Sequence, residues 1–369
     1  MKPAEDAPPS GGAEYRPICN TAAGSQRQDP LRRFTPTPYA TDLPVMGRTV
    51  RFETNDLRIL EHVTELFSSY PGSRDGRPDF RWKIVIQSHP HMTPPWPKRS
   101  AFSDRGLRFA EFGQRNFIAV DLDAREGIGF LAEGLAEDKL GLTSPFIDTI
   151  FYLTAGSLGL VSLTAACVAT GDKGILVMGP ADSGKTTACY LSTKVGLEYH
   201  ADQAVFLEPG SNTLGAWGDF FPAAFRPQAL QFLPELQTSA QPFSYCDFRF
   251  YYLNKRVFQA ARARPVEPVC CVYLARKSAP EPRLSSVSAA ESSRRLSENL
   301  PFKDDDRFNA QRAHVLNSLA KLPAYQLDYA SDPAIAAVFL RDLLARHEPL
   351  GHRPQTGQLL RTCETGSGG

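Results

Sequence analysis

Ile175-Leu-Val-Met178 runs without a break into Gly179-Pro180-Ala181-Asp182-Ser183-Gly184-Lys185-Thr186-Thr187. A helical period then continues to about Lys194 and stops at Gly196. Few folds accept that order. A buried apolar strand must end in a turn tight enough to require glycine, and the turn must open at once into a helix. The loop reads G-x-x-x-x-G-K-T, the Walker A pattern, and each residue type has a physical task. The glycines let successive backbone N–H groups converge on one anion, and the helix N-terminus adds a favourable field for phosphate. Lys185 brings a point charge to the outer phosphates of a nucleotide, and Thr186 a hydroxyl ligand for magnesium. Chance alone would produce the pattern in about one or two of a hundred chains of this length, before the flanking strand and helix are required. The whole segment Gly179 to Thr187 is therefore the candidate nucleotide-binding loop, for ATP or GTP with Mg2+.

Charge and composition narrow the alternatives. Lys plus Arg number 41 against 40 Asp plus Glu, so no net field favours nucleic acid or an anionic membrane. Hydrophobic residues at 42% and charged residues at 22% suit a chain that buries a core. The seven cysteines include no C-x-x-C. Cys167, Cys270 and Cys271 lie in apolar runs, where a thiol packs as a small hydrophobe, and a reducing cytoplasm is expected. The N-terminus lacks an apolar signal core. Thr149 to Gly171 carries no charge and is long enough to span a bilayer, but its period changes near Leu160. A helix followed by a buried strand explains that change, and no membrane span is expected.

Residues 1–40 are rich in Pro, Gly, Ser and Gln and are expected to be a disordered tail, as is the segment 349–369. Residues 41–140 read as a small α+β domain. Its strands are expected at Thr49 to Phe52, Trp82 to Ile86, Phe117 to Leu122 and Gly127 to Leu131, with a helix at Leu57 to Phe67. Residues 141–348 read as the nucleotide-binding domain. It opens on a helix from about Pro145 to Ser157 and a strand from Leu160 to Ala169. Further strands are expected at Val205 to Leu207 and Val269 to Leu274, and helices at Ala289 to Leu296 and Ala334 to Ala345. His89 and His91, flanking a proline, have no further ligand at metal spacing and read as an exposed pair. Lys303-Asp-Asp-Asp-Arg307 reads as a solvated turn, and Ser292-Ser-Arg-Arg295 as a helix surface.

A nucleotide-bound magnesium needs a carboxylate near the end of another strand. Asp202 breaks an otherwise apolar, strand-like segment, an unfavourable place for a carboxylate unless it is paired or on a metal. It is the candidate Mg2+ ligand beside Thr186, and with Lys185 the candidate catalytic pair. Asp182, inside the loop, faces solvent or an acceptor, and Arg226 is a candidate for stabilising transferring charge.

From Leu163 to Leu207 the chain resembles the catalytic domain of the HPr kinase/phosphorylase family. That family sets a G-x-x-x-x-G-K-S/T after a β-hairpin and an Asp-Asp pair seventeen and eighteen residues past its lysine. Gly196 and Asp202 fall at the family's offsets, and Phe220 to Pro227 and Pro268 to Arg276 look like its following loop and strand. The resemblance implies an α/β fold of the HPr kinase/PEP carboxykinase type, a nucleotide-binding domain on a mixed sheet preceded by the small α+β domain. It implies transfer of the γ-phosphate of Mg2+-bound ATP to a hydroxyl acceptor, a protein or peptide serine or a small metabolite. A homo-oligomer is also in keeping with it. Two positions depart from the family. Gln203 stands where the second Asp, the usual base, is found, and Thr164 where a histidine lies fifteen residues before the first loop glycine. The family's E-x-R-G-x-G is absent. A carboxamide cannot take a proton at neutral pH, so the base has moved or is missing. The alternative is thus a non-catalytic, ATP-binding partner or regulatory module. NTPase motors and switches rank below both, because their second-strand acidic pattern and switch glycines are not found.

Overall fold

The computed structural model describes residues 35–347, except 73–76, 88–97, 114–115, 211–212, 246–247, 255–263, 278–280, 302–305 and 331. The tails 1–34 and 348–369, the His89 and His91 pair, and Lys303 to Asp305 lie outside the described residues.

A seven-stranded sheet comes first. Its strands are β1 (Tyr39–Val45), β2 (Arg48–Thr54), β3 (Phe80–Gln87), β4 (Ser100–Asp104), β5 (Leu107–Glu111), β6 (Phe117–Asp121) and β7 (Glu126–Ala132), in the order β1-β2-β3-β7-β6-β5-β4. Helix α1 (Leu57–Phe67) is the crossover between the parallel strands β2 and β3. The Asp56 carboxylate caps it by accepting from Arg58 N at 2.9 Å. Ile59, Leu60, Val63 and Phe67 recur at helical spacing and are buried with Phe52, Trp82 and Ile84 of the sheet. Trp82 pairs across β3 and β7 with Gly127, where a Cβ would run into the indole ring.

Short helices α2 (Glu133–Glu137) and α3 (Lys139–Gly141) lead through a wound turn, Leu142–Ile147, into α4 (Asp148–Thr154). The segment Thr149 to Gly171 is indeed part helix, part buried strand, and no helix among the described residues is long and apolar enough to cross a membrane. The strand expected over Leu160 to Ala169 is two strands, β8 (Val161–Leu163) and β9 (Ala166–Thr170), parted at Thr164. Their partners lie in different sheets, so the chain must turn there.

The second large sheet has β10 (Lys173–Met178) near its middle. Helix α5 (Lys185–Lys194) and strand β11 (Glu198–Ala201) follow; β12 (Val205–Pro209) and β13 (Leu214–Gly218) join β8 in a three-stranded sheet. A third small sheet holds β14 (Ala223–Phe225), β15 (Gln241–Tyr245) and β16 (Phe248–Leu253), with the short helix α6 (Leu236–Ser239) between β14 and β15. The chain ends with β17 (Glu267–Arg276), β18 (Arg283–Ser286), α7 (Ala289–Glu298), α8 (Asn309–Ala320), β19 (Ala324–Tyr329) and α9 (Pro333–Ala345). The order of the second sheet is β11-β9-β10-β17-β19-β18. Strands β10, β17 and β19 are parallel, and the outer pairings are antiparallel, which makes this a mixed α/β layer.

Both faces of this sheet are covered, which is why its strands read as continuous apolar runs. Ile175, Val177, Cys270 and Val272 pack with residues of α5 and α9. Leu176, Met178, Cys271 and Tyr273 pack with Leu296 of α7 and with Val315 and Leu319 of α8. The adjacent Cys270 and Cys271 thus point to opposite faces, as the twofold strand period requires. Cys167, Cys189, Cys270 and Cys271 are buried thiols outside any disulfide, and burial pushes the Cys270 thiol up to about 12.

Candidate functional site

Strand β10 ends at Met178, and the chain turns through Gly179 to Gly184 into α5. Three residues of the turn have positive φ: Gly179 at 152°, Asp182 at 60° and Gly184 at 90°. The two glycines are required by space as well as by conformation. A Cβ on Gly179 would sit 2.5 Å from the Leu274 carbonyl oxygen and 2.7 Å from Ser183 Oγ, and one on Gly184 would meet the Tyr329 hydroxyl. Tyr329, the last residue of β19, donates to the Ser183 carbonyl at 2.5 Å. The loop is therefore braced from the carboxyl ends of β17 and β19, the edge at which open parallel sheets bind ligands.

No side chain caps the start of α5, so its first amides face the inside of the turn as anion donors. Lys185 is the first helical residue. Its Nζ donates to the carbonyls of Gly179 at 2.8 Å and Pro180 at 2.9 Å. Burial holds its pKa below the ordinary lysine value, opposed by the charges of Cys189, Asp182 and Asp202. Thr186 and Thr187 fill the first turn, and Ala181 is exposed on the rim. Ser183 Oγ is buried and has no hydrogen-bond partner among the described residues, as expected for a polar lining that serves a bound group.

Asp202 follows β11 and comes to the same edge. Ala201 pairs with Cys167 of β9, and Ala166, next along β9, pairs with Val177 just before the loop. Asp202 is only 3% exposed, and its Oδ2 accepts from Ala224 N at 3.3 Å. Burial, and next the Asp202 charge, raises the phenol of Tyr199. Asp202 does not interrupt a single strand as the sequence suggests; it stands in a bend between β11 and β12. The buried carboxylate of Asp219 explains the bend. Its Oδ2 accepts from the backbone N–H groups of Asp202 (3.3 Å), Gln203 (3.2 Å) and Ala204 (3.1 Å), and its Oδ1 from Phe221 N (3.2 Å). Those amides have their partners in one carboxylate and are not left for a ladder.

Two other sequence candidates meet at the loop. Asp182 and Arg226 meet as an ion pair at 3.3 Å, and the Arg226 guanidinium lies 4.4 Å over Phe248 and 4.6 Å over Phe250. Gln203 donates its amide to the Pro222 carbonyl at 3.3 Å. Thr164, exposed in the turn between β8 and β9, donates its backbone N–H to the Asn299 carbonyl at 2.8 Å. Among the described residues no three His, Cys, Asp or Glu side chains gather to hold a metal. Such a set is not needed for a magnesium that is carried chiefly by nucleotide phosphates and water.

No family model and no curated protein matches this chain. Among solved structures, the HPr(Ser) kinase/phosphatase from Coxiella burnetii is similar over 50% of this chain and 88% of its own, at 12% identity and a TM-score of 0.27. So remote a likeness carries no argument.

Sequence reasoning missed Asp219 and Tyr329. Asp219 follows the apolar strand Leu214–Gly218 as Asp202 follows Glu198–Ala201, so a carboxylate at a strand end was the available signal. Nothing local distinguishes Tyr329, which reaches the loop across 146 residues.

Proposed function

We propose that the chain binds ATP with Mg2+ at Gly179 to Thr187 and passes the γ-phosphate to a hydroxyl acceptor. The observation that carries this reading is the loop itself. A buried strand leads through two sterically obligatory glycines into an uncapped helix start, with Lys185 at its first position and Asp202 just past β11, two strands away at the same sheet edge. Backbone amides from Gly179 to Lys185 would hold the phosphates. Thr186 and Asp202 would hold Mg2+, which would supply charge neutralisation at the phosphates. Lys185 would leave the Gly179 and Pro180 carbonyls for the outer phosphates. Arg226, oriented by Asp182 and two aromatic faces, stands at the loop to stabilise charge on the transferring group. Positioning and electrostatics supply most of the acceleration in such transfers.

Isothermal calorimetry tests the loop. Lys185→Ala should fold normally and weaken Mg2+-ATP binding by at least about tenfold, since a charge-assisted contact of about 1.5–3 kcal/mol is lost. Unchanged affinity in the folded variant would remove the assignment. A second reading, a binding module ordered by ATP, draws on Gln203, whose side chain is a donor to Pro222 O and no base. Phosphate release from ATP separates the two, because the module turns nothing over.

A further inference from the structure

The nucleotide loop has a second flank, opposite Asp202, and an arginine stands on it. Arg276 closes β17, the parallel neighbour of β10, and lies across from Tyr329, the last residue of β19. Strand alternation decides where its side chain points. Val272 and Leu274 pack in the layer of α5 and α9, so Arg276 faces the same way, toward the start of α5. There its guanidinium lies over Gly184, with Nη2 3.6 Å and Nε 3.7 Å from the point where a Cβ would stand. Gly184 immediately precedes Lys185, so the arginine reaches the last peptide of the loop.

Tyr329 holds the arginine in that place. Its hydroxyl donates to the Ser183 carbonyl at 2.5 Å, which leaves its lone pairs to accept, and Arg276 donates to it. A guanidinium carries five N–H donors, so most of them stay open to another acceptor. Among the described residues no carboxylate forms an ion pair with Arg276, whereas the next residue, Lys277, is bound to Asp328 at 3.0 Å. Arg276 is exposed, so an anion in the loop meets it without any opening of the fold.

The two flanks of the loop differ. On one side β9 and β11 lead to Asp202, and Arg226 comes two residues after Ala224, whose N–H donates to Asp202. On the other side stand β17 and β19, with Arg276 at their ends. On the ATP-binding reading, magnesium and the outer phosphates belong with Asp202. A nucleotide lying along the loop then extends its nucleoside end toward β17, one strand spacing of about 5 Å from β10. Resting on that reading, we propose that Arg276 is a second nucleotide-binding cation, which holds the phosphate adjoining the nucleoside. It does so through the N–H groups that Tyr329 leaves open, in the forked geometry that suits arginine to phosphate. ATP and ADP both carry that phosphate, so Arg276 serves both alike, with or without magnesium.

Calorimetry on the full chain tests this with ATP and with ADP, each with and without Mg2+. Arg276→Ala removes an exposed side chain and should weaken all four affinities by a similar factor, about tenfold or more. Arg276→Lys keeps a point charge without the planar fork and should recover only part of the loss. Tyr329→Phe separates a nucleotide contact from a mere brace for the tyrosine. In that background Arg276→Ala should still weaken binding, whereas a brace would have nothing left to hold. No further loss there overturns the proposal. So does a loss confined to ATP, which would put the guanidinium on the outermost phosphate, or a loss seen only with magnesium. If Arg276→Ala binds both nucleotides as the wild type does while Lys185→Ala loses ATP, the proposal falls and the ATP-binding reading stands. A wild type that binds neither nucleotide overturns both.

Discussion

At the level of single side chains, the site turns on two aspartates that look alike in sequence and differ in work. Asp219 has four backbone N–H groups around it, so its lone pairs are largely committed to shaping the bend. In Asp202, Oδ2 takes the Ala224 amide and the carboxylate lies within the field of Lys185. Asp202→Asn keeps the shape and removes the charge. It should abolish the magnesium-dependent part of ATP affinity and spare metal-free binding, read by calorimetry with and without Mg2+. An equal response to magnesium in both forms would reduce Asp202 to a shaper of the loop like Asp219. The loop was legible in the sequence because its glycines, lysine and threonine are contiguous, and Asp202 because a charge among apolar residues is conspicuous. Tyr329 was not, because its hydroxyl reaches Ser183 across 146 residues and no local pattern marks it.

Among the elements, legibility followed periodicity. Helix α1 was readable to its ends because four buried apolar residues and an Asp cap mark it. Strand β4 was not, since all five of its residues are exposed and no alternation shows. Helix α8 buries only Arg312, Val315 and Leu319 of its twelve residues, too narrow a stripe to read from sequence. The turn at Thr164 was hidden because the strand residues on both sides of it are buried, which erases the polar break that marks a turn. Helix α1 also carries a pH dependence. His62 is buried, and its Nε2 lies 2.8 Å from Thr143 Oγ1. The Thr143 hydroxyl donates to the Lys139 carbonyl, so it accepts from His62 Nε2–H, and the buried Nδ1, with no hydrogen-bond partner among the described residues, suits a neutral ring. Burial, with Lys139 nearby, lowers its pKa from 6.5 to about 4. The stabilisation from the neutral ring is therefore intact above the ordinary value and drains away as pH falls toward 4. Between about pH 7 and about pH 5 that amounts to about 2 kcal/mol. Asp148, which burial raises to about 6, titrates with the opposite sign, so the measurement is a difference. The gap in melting stability between wild type and His62→Gln should shrink by about that amount over this range. A gap constant with pH would show that the fold leaves the His62 pKa where it stands in the unfolded chain.

Across the whole molecule, one buried cluster joins the first sheet to the loop that shapes the site. It runs from Leu43 and Phe52 through Phe67 and Phe151 to Ala204, Phe206, Phe221 and Tyr252. Phe67 is its hinge point, stacked on Phe52 at 5.9 Å and edge-on to Phe220 at 4.9 Å. Phe67→Ala should cost about 3–5 kcal/mol and lower one melting transition shared by both sheets, read by calorimetry. An earlier, separate melting of the first sheet would show that the two parts stand alone. The brace from Tyr329 to Ser183 has a further consequence, in the order in which the chain is made. Ser183 leaves the ribosome 146 residues before the hydroxyl that holds its carbonyl. At about 5–20 residues per second, that interval is on the order of ten to thirty seconds. Early in it the strand carrying the loop has its antiparallel neighbour β9 but not yet its parallel partner β17, and β19, beyond β17, comes last. The loop thus gains its last brace only once residue 329 has been made, and until then its buried strand depends on whatever shields apolar strands from one another.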